Sequence, residues 1–166
     1  MALTAKQMTW ALRIYPPFLG AGIWVREIAP DWTRAVVQLR THALNSNTHG
    51  TAFGGSLQSM TDAFYPLMLM PQLGGGYKVW DRAAEIDYRR PGGKVVTGIF
   101  EMPADRVADI RERAESGAAL HEWFETDLRN PDGEVATSVR RQVYVRKRRA
   151  GDRPNRRGMA SLYGHQ

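Results

Sequence analysis

The segment from Asn47 to Asp62 reads N-T-H-G-T-A-F-G-G-S-L-Q-S-M-T-D and concentrates residue types that can do chemistry. Glycines at a helix entrance let a ligand carbonyl approach the backbone, and the unpaired N–H groups there face developing negative charge. The Gly55 N–H is therefore a candidate oxyanion donor, with Gly54 beside it. At about 100° per residue, Gly55, Ser59, Asp62 and Pro66 share one small, polar stripe that could line a substrate channel. Asp62 is expected about two turns into an apolar helix, where desolvation would raise its pKa toward use as a general base. Pro66 lacks the N–H that would bond the Asp62 carbonyl, which predicts a kink there. Each residue also has a plainer reading. The glycines can be turn residues, Asp62 the partner of an arginine such as Arg89 or Arg90, and His49 a solvated loop histidine.

Composition removes several chemistries. The chain has no cysteine, so disulfides, thiolate catalysis and cysteine-ligated zinc are excluded. The remaining histidines, His42, His121 and His165, show no metal-ligand spacing, and no metal or separate cofactor is assigned. Neither a phosphate-binding glycine loop nor a G-x-S-x-G elbow is present. The net charge of +6 is unevenly placed: nine basic residues lie between Arg140 and Arg157 with Asp152 as the sole acid, while residues 1 to 139 carry 14 basic and 16 acidic side chains. Such a run reads as a solvated tail over residues 147 to 166, not as a nucleic-acid surface. The first residues never build a signal-peptide core, and Ala63 to Leu73 is about half the length a bilayer requires. A cytoplasmic protein with no membrane role is expected.

The elements that must position Asn47 to Asp62 follow from periodicity and punctuation. Ala5 to Ile14 has helical spacing and is stopped by Pro16-Pro17. Gly22 to Ile28 and Trp32 to Arg40 read as a hairpin, and Gly54 to Met70 as the main apolar helix. Val79 to Arg89 and Lys94 to Glu101 suggest a second hairpin across Pro91-Gly92-Gly93. Pro103 to Glu115 is an amphipathic surface helix, and Leu120 to Leu128 with Glu134 to Val145 makes a third hairpin. An antiparallel sheet must bury one face, and the 54 to 70 helix is the one apolar enough to cover it. The expected architecture is an α+β domain over residues 1 to 146, a single antiparallel sheet wrapped around a long central helix, the hot-dog arrangement.

The spacing of Gly54, Gly55 and Asp62, with the acid seven positions after the second glycine, resembles the signature of PaaI-like hot-dog thioesterases. A-A-E-I-D-Y-R-R-P at Ala83 to Pro91 is similar to the strand after the helix in that group. With Y-P-P-F-L-G-A-G-I and the C-terminal hairpin, the resemblance covers about residues 10 to 146, and is nearest to a bacterial branch labelled as an uncharacterised thioesterase-related domain. It departs at Phe53, where many members carry histidine, and phenylalanine cannot hydrogen-bond a thioester oxygen.

The resemblance implies acyl-CoA hydrolysis at a dimer interface, with coenzyme A entering only as part of the substrate. Asp62, Gly55 and His49 would be catalytic. Asn47, Gly50, Phe53, Gly54 and Ser59 would line the substrate, with Asp87 and Arg89 at the mouth and basic residues such as Arg90 near the CoA phosphates. A homodimer or a dimer of dimers is implied. A non-catalytic acyl-CoA binder and an enoyl or 3-hydroxyacyl thioester hydratase or dehydratase are the alternative activities on this architecture.

Overall fold

The computed structural model describes residues 3 to 152; most of the predicted basic tail, residues 153 to 166, lies outside the described residues. The chain opens with α1 (Ala5–Arg13). Thr4 Oγ1 accepts the Gln7 N–H at 3.2 Å while Gln7 Oε1 accepts the Thr4 N–H at 2.9 Å, a reciprocal cap that fixes the first turn. Pro16 and Pro17 end this helix and also start α2 (Pro16–Ala21), an element the periodicity did not predict. Proline suits the first turn of a helix, where its missing N–H has no partner to lose. Gly22, at φ +77°, closes α2, and a Cβ there would come within 2.6 Å of the Arg40 carbonyl.

Strands β1 (Ile23–Ile28) and β2 (Arg34–Arg40) form the first predicted hairpin. The apolar segment forms α3 (Gly54–Ser59) and α4 (Phe64–Leu73), followed by β3 (Tyr77–Tyr88), β4 (Val95–Glu101), α5 (Ala104–Ala114), β5 (Leu120–Arg129) and β6 (Val135–Lys147). The single six-stranded antiparallel sheet runs β1-β2-β4-β5-β6-β3. The expected β3–β4 hairpin does not form: β4 pairs with β2 and β5, whereas β3 crosses to the far edge and pairs with β6 along nearly its whole length. Pro91-Gly92-Gly93 interrupts the strands as read, but Ala52 N–H donates to the Gly92 carbonyl, so this stretch serves the site loop and not a tight turn.

Helix α4 fills the concave side. Phe64, Tyr65, Leu67, Met68 and Leu69 are buried against Val37, Phe100, Phe124 and Val143 of the sheet. Phe64 stacks on Phe100 at 5.0 Å and Tyr65 on Phe124 at 4.8 Å. Strands β4 and β5 pair only at Thr97–Arg129 and Gly98–Leu128, and Tyr65 OH reaches the Glu125 carbonyl exposed by their divergence, at 2.8 Å. Among the described residues no helix is long and apolar enough to cross a membrane.

Candidate active site

The predicted 54 to 70 helix is broken where its acid lies. The Thr61 and Asp62 N–H groups bond to carbonyls three residues back, and Ala63 takes the left-handed conformation at φ +62° before α4 begins. Pro66 therefore sits in the first turn of α4, where no N–H is needed, and the kink expected at Pro66 is replaced by an interruption just before it. Asp62 is not buried in apolar surroundings as predicted: its side chain is 64% exposed. The predicted stripe is broken with the helix. Ser59 stands exposed, its hydroxyl donating to the Gly55 carbonyl at 2.8 Å, while Pro66 turns into the core.

Two side chains from the sheet, Arg141 and Asp81, hold this interruption open. Arg141 of β6 is buried, in the inward phase it shares with Val139, Val143 and Val145. Its Nη2 donates to the Gln58 carbonyl at 3.1 Å and to Thr61 Oγ1 at 2.8 Å, placing a cation at the C-terminal end of α3. Its Nη1 lies 3.3 Å from Asp62 Oδ1 and 3.5 Å from Asp81 Oδ2. Asp81 of β3 receives the Ala63 N–H on Oδ2 at 2.9 Å, so a side-chain acceptor meets the N-terminal end of α4. The register of β3 shifts between Asp81 and Ala83, and this bulge at Arg82 changes the strand's phase beside Asp81. Burial pushes the Asp81 carboxyl above the ordinary aspartate range, with neighbouring Asp62 adding to the shift and the Ala63 N–H and Arg141 opposing it.

The helix entrance carries a different set of contacts. Phe53 precedes α3 with its ring laid over Gly55, so that a Cβ on Gly55 would come within 2.4 Å of it. The Tyr88 hydroxyl of β3 donates to the Gly54 carbonyl at 3.1 Å. Asn47 organises its own loop: its Oδ1 accepts the His49 and Thr51 N–H groups and its Nδ2 donates to Thr51 Oγ1. Gly50, at φ +73°, completes that turn. The His49 side chain is exposed, and no hydrogen bond or ion pair joins it to Asp62.

Asp87 and Arg89 pair with each other at 3.1 Å, and Arg90 pairs with Glu134 at 2.9 Å, all near the solvent. The arginine that meets Asp62 is thus Arg141 and neither Arg89 nor Arg90. Sequence reading missed Arg141, Asp81 and Thr61. The signal for Arg141 was present, since it occupies an inward position of an alternating strand, where an unpaired cation would be costly. Among the described residues no group of three His, Asp or Glu side chains is arranged to hold a metal. An open cleft of about 530 Å³ lined by residues such as Thr97, Ile99, Glu125 and Asn130 lies between β4 and β5 and shares no residue with this site.

A family model described as a domain of unknown function, DUF4442, matches residues 4–145. Among curated proteins the sequence has no significant match. Solved structures resemble it throughout. A Pseudomonas aeruginosa protein of unknown function, described as a probable thioesterase, aligns with a TM-score of 0.78 at 15% identity, covering 89% of this chain and 99% of that one. A Haemophilus influenzae thioesterase aligns at 0.62 and 12% identity over 89% and 93% of the two chains. The Escherichia coli PaaI protein from the phenylacetic acid degradation operon aligns at 0.57 and 16% identity over 84% and 90%. At these identities the likeness is one of fold, the sheet wrapped around a helix of the hot-dog proteins.

Proposed function

The chain belongs to the DUF4442 family, and from that membership, the hot-dog fold and the geometry at Asp62 we propose that it hydrolyses acyl thioesters of coenzyme A as a homodimer. The observation that carries this reading is a solvent-facing carboxylate fixed by a buried guanidinium at a break in the central helix. An acid placed this way can be reached by water and substrate while its orientation is held.

The edge beside it asks for a partner. Ala84, Ile86 and Tyr88 lie opposite the buried Arg141, Val139 and Thr137 and so have the inward phase, yet Ala84 and Tyr88 are exposed and Ile86 is only half-buried. A second copy laid along β3 would cover them and bring a helix entrance toward Asp62. In the resulting site the thioester oxygen accepts from the N–H of Gly55 of the partner subunit. Asp62 takes a proton from water as the new C–O bond forms, and returns it to the sulfur as the C–S bond breaks.

Purified protein offered a panel of acyl-CoAs should release free thiol, and Asp62→Asn should lower that rate by at least about a hundredfold. Undiminished release in the variant would refute the mechanism. A second reading, acyl-CoA binding without turnover, is favoured by the Phe53 ring over Gly55, which puts an apolar group where the entrance would otherwise be open. Saturable CoA-ester binding with no thiol release would select it.

A further inference from the structure

The break between α3 and α4 brings three ionisable side chains to one point, and the chemistry above uses Asp62 and Arg141 but not Asp81. Asp62 Oδ1 and Asp81 Oδ2 converge on the same nitrogen, Arg141 Nη1, at 3.3 and 3.5 Å. With all three ionised, two anions face one cation. Among the described residues no cation other than Arg141 pairs with either carboxyl group. Thr61 Oγ1 and the Gln58 carbonyl are neutral acceptors of Arg141. Tyr65 of α4 is buried with its hydroxyl engaged by the Glu125 carbonyl, and burial holds it neutral. Arg82, in the bulge, is directed to Gln142 Oε1. Glu125, whose carbonyl receives the Tyr65 hydroxyl, pairs its side chain with Arg140 at 2.9 Å.

One proton on the carboxylate pair removes the imbalance, and burial decides where it resides. The Asp81 side chain is 14% exposed and its Oδ1 is enclosed without any donor, whereas Asp62 is 64% exposed. An ionised oxygen enclosed without a donor is costly, and the same oxygen in a neutral carboxyl is much less so.

We propose that Asp81 is a positioning residue for Asp62: the two form a carboxylate dyad that shares one proton, held on Asp81, which leaves Asp62 as the ionised member against Arg141. For catalysis this rests on the thioesterase reading, but the shared proton does not. With Asp81 neutral, Arg141 is committed to Asp62, and the base stays charged and oriented. When Asp81 loses its proton at higher pH, the two carboxylates compete for Nη1 and Asp62 is released from its position. The dyad therefore predicts an alkaline limb in the pH dependence of turnover.

The test is a carboxyl ¹³C NMR titration of the full chain labelled at aspartate. In the wild type, one of the pair should titrate above the ordinary aspartate range, and Asp81→Asn should remove that signal. Asp62→Asn should lower the remaining Asp81 titration by about one pH unit, the coupling expected of interacting sites. Asp81 titrating at or below the ordinary range, or unmoved by Asp62→Asn, would overturn the proposal. Wild type and Asp62→Asn decide this even if Asp81→Asn does not fold. In the thiol-release assay, Asp81→Asn should abolish the alkaline limb of the kcat profile and change KM less than kcat; an intact limb would count against the dyad. If no acyl-CoA is hydrolysed by the wild type, the thioesterase reading fails while the titration still judges the shared proton.

Discussion

The two edges of the sheet are finished in opposite ways. Strand β1 is six residues long, shifts register between Val25 and Glu27, and is flanked by α1, whose Met8 and Leu12 are buried. Arg13 reaches from that helix to the Val25 and Arg26 carbonyls, at 2.8 and 2.7 Å. A short, bulged strand with its carbonyls already occupied offers little to a second chain. Strand β3 is twelve residues long, and past Asp81 most of its residues are exposed, including inward-phase Ala84 and Tyr88. It is also the strand that touches both halves of the candidate site, through Tyr88 at Gly54 and Asp81 at Ala63. The protected edge belongs to the fold, and the open edge belongs to the site.

The strongest way to break this comparison is at the open edge. Ile86→Lys puts a charge on the inward face of β3 and should convert the proposed homodimer to a monomer, measured by light scattering. Thiol release should fall about a hundredfold with it, a loss on the scale of removing an oxyanion donor. An unchanged mass would place the subunit contact elsewhere.

Next in size is Arg141→Met. It removes the cation between two carboxylates and the bond to the Gln58 carbonyl, and should cost about 3 kcal/mol in urea unfolding. A loss under about 1 kcal/mol would mean that the helix interruption does not depend on it.

At the protected edge, Arg13→Ala should cost about 1–2 kcal/mol, since two charged hydrogen bonds to carbonyls are lost. It should leave the assembly and thiol release as they were. New concentration-dependent association in this variant would show that Arg13 itself guards the β1 edge.

The smallest effect concerns pH. The folded-state pKa of Asp81 is raised by burial, so the folded chain holds this proton more tightly than the unfolded one. The stabilisation is fully present below the ordinary aspartate pKa and is lost as pH rises through the shifted value. Asp81→Asn should therefore flatten the decline in Tm across that window, and a Tm profile parallel to wild type would contradict the assigned burial effect.

Much of this could be read from residue order. The alternation of β5 sets Phe124 and Leu128 apart from His121 and Trp123, and both lie in the core; the helical spacing of Val107, Ile110 and Ala114 puts them on one face of α5, the face that is buried. The Asn47 to Asp62 segment was legible as the centre of interest because its glycines and acid are unusual beside an apolar helix. Three things were not legible. Pro16-Pro17 both ends α1 and starts α2, and the helical spacing before it announces only the end. Pairing of β3 with β6 joins residues about sixty positions apart, a choice made by sheet closure and not by the nearest turn. The exposure of Asp62 arises because Ala63 adopts φ +62°, a conformation alanine has no intrinsic reason to choose.

By itself, then, the sequence determined most element types and the wrapped-helix architecture, because periodicity, turn residues and helix breakers act over a few positions. The tertiary structure alone decided which strand lies at the open edge and which charges meet Asp62. Arg141 and Asp81 are separated from Asp62 by 79 and 19 positions, and only the β3–β6 pairing brings all three together. Such meetings depend on low-dielectric surroundings and on burial that no local pattern encodes, since the same aspartate would be an ordinary surface acid if Arg141 pointed outward.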